Sequence, residues 1–95
     1  IGGRKLTAWG AGKVARRQAH HLFGYGLRIE CFFEVDPKKI GSPRSGLKVE
    51  SIEAIPPPGE VFILVLAGAR SARSKITRFL DDRDYISGQD YLFLT

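Results

Sequence analysis

The segment order of this chain predicts a three-layer α/β domain in which helices cover a mostly parallel sheet of about five strands. Two observations carry that expectation. Short apolar runs alternate with stretches of helical periodicity, and a Gly-Ala-Gly turn stands where the first run gives way to the first helix.

Lys5 to Trp9 reads as the first strand and runs directly into Gly10-Ala11-Gly12. From Lys13 the period becomes helical, with Val14, Ala15, Ala19, Leu22 and Phe23 on one face and Lys13, Arg16, Arg17, His20 and His21 mostly on the other. Gly24 and Gly26 are placed to end this helix, since glycine accepts the left-handed backbone just past a C-terminus. Leu27 to Val35 reads as a second strand, nearly continuous in apolar residues and so covered on both faces. Asp36-Pro37 breaks it, and Lys38 to Lys48 has the Gly, Pro, Ser and Lys/Arg content of a loop.

Leu47 to Val49 reads as a short third strand. Ser51 to Ile55 offers one helical turn capped by Ser51, before the Pro56-Pro57-Pro58-Gly59 run forbids continuation. Val61 to Ala67 is the most apolar stretch and reads as a buried strand; a helix follows from Ala69 to Leu80, and Tyr91 to Leu94 closes the set. Right-handed crossovers then give an order beginning 3-2-1-4, with the Tyr91 strand beyond the Val61 strand. That order creates a switch point between the first and fourth strands, where ligands bind in such sheets.

The chain has 95 residues and 43% hydrophobic content, enough for one core, so residues 1–95 are expected to form one domain. It contains no methionine and is expected to be a piece of a larger protein. No apolar run approaches the roughly 20 residues needed to cross a bilayer, which argues against direct membrane insertion. The single cysteine, Cys31, has no internal disulfide partner, so a reducing, cytoplasmic location is expected. Within its strand it reads as a small buried hydrophobe.

Gly10-Ala11-Gly12-Lys13-Val14-Ala15 matches the G-x-G-x-x-G/A fingerprint and makes the domain Rossmann-like. The first glycine permits the tight turn, the second lets a pyrophosphate approach the backbone, and the small third residue lets helix and strand pack closely. The helix N-terminus adds unpaired N–H groups aimed at the anion. The fingerprint also asks for an acid at the end of the second strand to hold ribose hydroxyls; Asp36 is the first choice and Glu34 the second. A turn residue stabilising the Asp-Pro corner is an equal reading of Asp36.

The formal charge is +5. Lys13, Arg70 and Arg73 stand in first turns of helices, where the dipole favours acids, and Lys38, Lys39, Arg44 and Lys48 crowd one loop without an intervening acid. A phosphate at this carboxyl edge would offset the repulsion. His20-His21 lacks further ligands at metal spacing, so no metal site is expected, and no catalytic set can be assembled from the remaining residues.

Taken together, Leu6 to Arg17, the Asp36-Pro37-Lys38-Lys39-Ile40-Gly41 step, the Gly46-Leu47-Lys48-Val49 step and the Gly68-Ala69-Arg70 turn resemble a known module. It resembles the Rossmann-like C-terminal domain of bacterial family 2 glycosyltransferases. Related patterns occur in nucleotide-sugar-binding domains of sugar acyltransferases and NAD-binding parts of epimerase/dehydratases. The resemblance implies an accessory module beside an N-terminal catalytic domain in the parent chain, with nucleotide-type small molecules as ligands. It implies ligand-binding roles for Gly10, Gly12 and Lys13, for Asp36 and Lys39, and for Gly68 and Arg70. The transferase Asp-x-Asp is absent, so no catalytic residue carries over.

The leading expectation is therefore a non-catalytic nucleotide or nucleotide-sugar binding domain. The alternatives are the NAD(P)-binding half of a sugar-modifying enzyme or oxidoreductase, and a ligand-free interaction domain with a vestigial turn. Nucleic acid is not expected as a partner, because helix-turn-helix, RRM and OB cues are missing.

Overall fold

A computed structural model describes residues 3–41, 43, 46–66 and 70–94. The strands are β1 (Lys5–Trp9), β2 (Cys31–Glu34), β3 (Lys48–Ser51), β4 (Val61–Val65) and β5 (Tyr91–Phe93); the helices are α1 (Lys13–Phe23) and α2 (Arg70–Asp82). They form one sheet of order β3-β2-β1-β4-β5 in which every pairing is parallel. This is the three-layer, Rossmann-like arrangement the sequence predicts.

Side-chain alternation along the strands divides the core in two. Leu6, Ala8, Phe32, Val49 and Leu64 face α1, which meets them with Ala15 and Ala19; Trp9, Phe33, Ile63, Val65 and Tyr91 face α2, which contributes Ile76 and Leu80. The near-invisible side chains of Ala11, Ala15 and Ala19 let α1 lie close to the sheet. This is the packing role the fingerprint gives its third small residue, here Ala15.

Several boundaries differ from the sequence expectation. β2 starts at Cys31 rather than Leu27, since its pairing with β1 is confined to Ala8–Phe32 and Trp9–Phe33. The preceding Leu27–Glu30 segment is tied only at points, with Leu27 N donating to Leu22 O and Glu30 N to Leu6 O. β2 also ends at Glu34, leaving Val35 exposed. Gly24 is right-handed at φ −64°, and the left-handed residue past α1 is Gly26 at φ +81°. β3 is shifted to Lys48–Ser51, and β4 stops at Val65. The turn after β3 is a 3-10 helix, Ile52–Ala54, whose first N–H groups are capped by the Ser51 hydroxyl accepting from Glu53 N. α2 runs one turn's fraction further than expected, to Asp82. Ala67 and Ala69, expected at the ends of β4 and α2, lie outside the described residues.

At the opposite end of the sheet, the buried Asp90 takes an ion pair from Arg4 at 2.8 Å and accepts from Ile86 N at 2.7 Å, fixing the approach to β5. Among the described residues, no helix is long and apolar enough to cross a membrane.

Candidate functional site

The β1–α1 turn has the geometry of a phosphate turn. Gly10 adopts φ +112°, a conformation that disfavours any Cβ, and its N–H donates to Phe33 O at 2.7 Å, tying the turn to β2. Gly12 is the N-cap of α1 in extended conformation, and no side chain among the described residues caps the helix. Its O accepts the first helical bond, from Arg16 N. The open N–H groups of this first turn therefore face the carboxyl edge of the sheet.

A cavity of about 600 Å³ opens at that edge. Its floor is the turn itself, with Trp9, Gly10, Gly12 and Lys13; one wall comes from Glu34, Val35, Lys39 and Ile52 beyond β2 and β3; the other comes from Ala72, Lys75, Ile76 and Phe79 of α2. Ligand sites of roughly 300–1,000 Å³ with mostly apolar walls and a few convergent polar groups are usual for small molecules. Here the apolar wall is ordered by Trp9 and Phe79, whose rings meet edge to face at 5.4 Å, with the Arg83 guanidinium over the Phe79 ring at 4.4 Å.

Glu34 is the acid that faces this cavity. It is 7% exposed, and its carboxylate accepts three backbone N–H groups: Ala11 at 2.9 Å on Oε1, and Val35 at 2.8 Å and Asp36 at 3.0 Å on Oε2. One side chain thus joins the Gly-rich turn to the end of β2. Asp36 stands apart from the cavity lining: its Oδ1 accepts from Lys38 N at 3.0 Å, and its Oδ2 is 3.9 Å from Lys39 Nζ. Asp36 stabilises the corner, initiating the turn through Pro37 and Lys38 to Lys39, whose N–H donates to Asp36 O at 3.0 Å. Glu34 is the last residue of β2, which ends one residue before the Val35 that the apolar run predicts.

Lys39 lies against the turn. A Cβ built on Gly12 would sit 3.4 Å from Lys39 Nζ, so this ammonium covers the face of Gly12 that a phosphate would approach. Gly10, Gly12, Lys13 and Lys39 are therefore brought together, as the sequence predicts, and Lys75 joins them without having been foreseen. Gly68 lies outside the described residues, and of Arg70 only its place at the start of α2 is described.

The broader basic edge does not assemble as expected. The Arg73 guanidinium stacks over Phe93 at 4.6 Å. Lys48 pairs in register with Cys31, at the start of β2, which carries it to the amino edge of the sheet. Arg44 lies outside the described residues.

His20 and His21 are exposed on α1, where they meet the rings of Phe23 and Tyr25 edge on. Cys31 is half-buried rather than enclosed, and burial, with Glu50 and Glu30 nearby, pushes its thiol up to about 11.

No known protein-family profile matches the chain. It is similar to the redox-sensing transcriptional repressor Rex of Thermus thermophilus and of Thermus aquaticus, 35% identical over 78 residues in each case. The similarity covers 79% of this chain, and the chain spans 37% of the length of these relatives.

Two expectations are corrected here. The comparisons lend no support to a glycosyltransferase-type module or to nucleotide-sugars as its ligands; the likeness is to a redox-sensing protein. The exclusion of nucleic acid is overturned as well, because the relatives are transcriptional repressors. That exclusion rested on missing DNA- and RNA-binding cues in this chain alone, and a chain spanning 37% of its relatives need not carry them.

Proposed function

We propose that this domain binds a nicotinamide dinucleotide and serves as the ligand-responsive part of a Rex-like transcriptional regulator whose partner is DNA. The observation that carries the reading is the Glu34 carboxylate, buried at the end of β2, bonded to Ala11 N and facing the cavity beside Gly12. In a Rossmann-type turn this combination serves a dinucleotide: N–H groups and glycines for the pyrophosphate, and an acid for the ribose hydroxyls. Redox sensing, the property named for the relatives, is served at such a turn by the nicotinamide carriers.

On this reading Gly10 shapes the turn, and Gly12 and Lys13 receive the pyrophosphate. Lys39 exchanges its position over Gly12 for an ion pair with it, and Glu34 accepts from the adenosine ribose. Asp36 orders the loop that carries Lys39. Gly68 and Arg70 remain proposed contacts. A carboxylate at the ribose disfavours a 2′-phosphate, so NAD(H) should be preferred to NADP(H). A cytoplasmic location suits both the cofactor and the lone cysteine.

The test is thermal unfolding with NAD⁺, NADH, NADP⁺ and a UDP-sugar at matched ionic strength. A ligand present at about a hundred times its Kd adds roughly 2.7 kcal/mol to apparent stability. NAD⁺ or NADH should raise the Tm well above the effect of NADP⁺ or the UDP-sugar; a rise with the UDP-sugar alone would reverse the assignment.

A further inference from the structure

Charge is segregated along this chain. Residues 1–29 hold six of the 15 Lys and Arg and none of the 10 Asp and Glu, the first of which is Glu30. The rest of the chain is close to neutral, with nine cations against 10 acids. The whole excess of positive charge therefore falls on β1, α1 and the turn that follows α1.

The fold displays that charge on one side. Ala15 and Ala19 bury one face of α1 against the sheet, and on the opposite face Lys13, Arg17, His20 and His21 recur at helical spacing, all exposed. Past the helix end, Tyr25 is 75% exposed with its ring 5.7 Å from that of His21, and Arg28 is exposed as well. The ion pairs among the described residues are Arg4–Asp90 and Lys39–Asp36, so none of Lys13, Arg17 and Arg28 has a described carboxylate within 4 Å. On α2 the signs are mixed instead, with Lys75 and Arg78 around one hollow with Asp82.

From this we infer that the outer face of α1 lies on the phosphate backbone of duplex DNA, so that this domain itself makes sequence-independent contacts with the partner. The identity of the partner rests on the proposed function; the placement rests on charge complementarity and on the acid-free exposed face. A basic stripe along one helix in a domain of pI near 9.7 is the electrostatic footprint of nucleic-acid binding. The 11 residues of α1 span about 16 Å, the length of about four or five successive phosphates of one strand. Arg17 and Arg28 neutralise phosphates, and the Tyr25 hydroxyl adds a donor of the kind that binds their oxygens. Contacts of this kind position a protein on the duplex without reading its sequence.

Fluorescence anisotropy of a short labelled duplex of arbitrary sequence, titrated with the 95-residue chain across a range of salt, tests it. At about 50 mM salt the Kd should be near 10⁻⁴ M and the same for a scrambled duplex, and log K should fall against log salt with a slope of about −2 to −3. Arg17→Gln and Arg28→Gln should each shrink that slope by about 1, weaken binding by about threefold or more, and leave NAD(H) affinity unchanged. Arg78→Gln, the same change of charge at an exposed position of α2, should leave the slope as it was. A Kd weaker than about 1 mM at that salt, or equal losses from Arg17→Gln and Arg78→Gln, would overturn the inference. Tighter binding of polyglutamate than of the duplex would overturn it too, giving the face to an acidic protein. Each of these failures leaves NAD(H) binding, and with it the proposed ligand, standing. Arg17-dependent duplex binding by a chain that binds no dinucleotide would support the inference and remove the proposed ligand instead.

Discussion

Two buried carboxylates hold the two ends of this sheet, and they are built differently. Asp90, 2% exposed, meets a cation directly, with Arg4 at 2.8 Å, and takes one backbone N–H from Ile86. Glu34, 7% exposed, has no cation within 4 Å among the described residues and is held by three backbone N–H groups. Asp90's charge is satisfied within the protein and secures the β5 approach. Glu34's is held in place by amides while facing a cavity lined by three lysines, so it keeps acceptor capacity for a ligand. A buried acid alone does not mark a site; one oriented by the backbone and facing a cavity is the better candidate.

The contrast predicts separable effects. Asp90→Ala strands Arg4 and leaves the Ile86 N–H without its acceptor, which should cost about 3 kcal/mol. At roughly 4–8 °C per kcal/mol for a domain of this size, calorimetric unfolding should show a large fall in Tm. Nucleotide affinity of the protein that remains folded should be unchanged, because Asp90 is absent from the cavity lining.

Glu34→Gln should do the reverse. The amide keeps the shape but turns an NH₂ toward backbone donors, costing about 1–2 kcal/mol of stability. Its larger effect should fall on the ligand, with dinucleotide affinity reduced by about tenfold in calorimetry. Equal nucleotide affinities for the two variants would erase the distinction between the carboxylates.

The smallest effect lies at the amino edge, where Cys31 tests whether that end of β2 is only structural. Its thiol is raised from 9.0 to about 11, first by burial and then by Glu50 and Glu30. The unfolded chain therefore releases this proton at lower pH than the folded one. The contribution of Cys31 is fully present below about pH 9 and is lost as pH rises through about 11. Tyr85 and Tyr91, both raised by burial, act in the same direction. Cys31→Ser should flatten part of the fall in Tm over that alkaline window and leave nucleotide binding at neutral pH intact; an unchanged slope would contradict it.

The order of elements and the phosphate turn were legible because each rests on local chemistry. Gly10 and Gly12 end a strand, Ala15 and Ala19 give α1 a narrow face, and the β-branched content and flanking glycines of the run from Val61 argue for a buried strand. Strand ends were less legible, since pairing with β1 sets where β2 begins and ends, and that register is a long-range property. A strand read through Val35 puts Asp36 at its end, whereas the paired strand ends at Glu34. Lys75 carries no local signature, because α2 reaches the cavity through packing on the sheet, in one core with Trp9, Phe33, Ile63, Val65 and Tyr91. Arg73 and Lys48 show the converse: charge counted along the chain merged residues that the fold sends to Phe93 and to the amino edge.

The central claim, that the β1–α1 turn is a working phosphate site, is met most directly by Gly12→Val. Gly12 has φ −72°, which valine tolerates, and the nearest group to an added Cβ is the movable Lys39 ammonium at 3.4 Å. The unliganded Tm should therefore stay close to that of the parent chain, while calorimetric binding of NAD(H) should disappear as the valine side chain fills the space a pyrophosphate needs. Undiminished NAD(H) binding by a folded Gly12→Val protein would contradict the account.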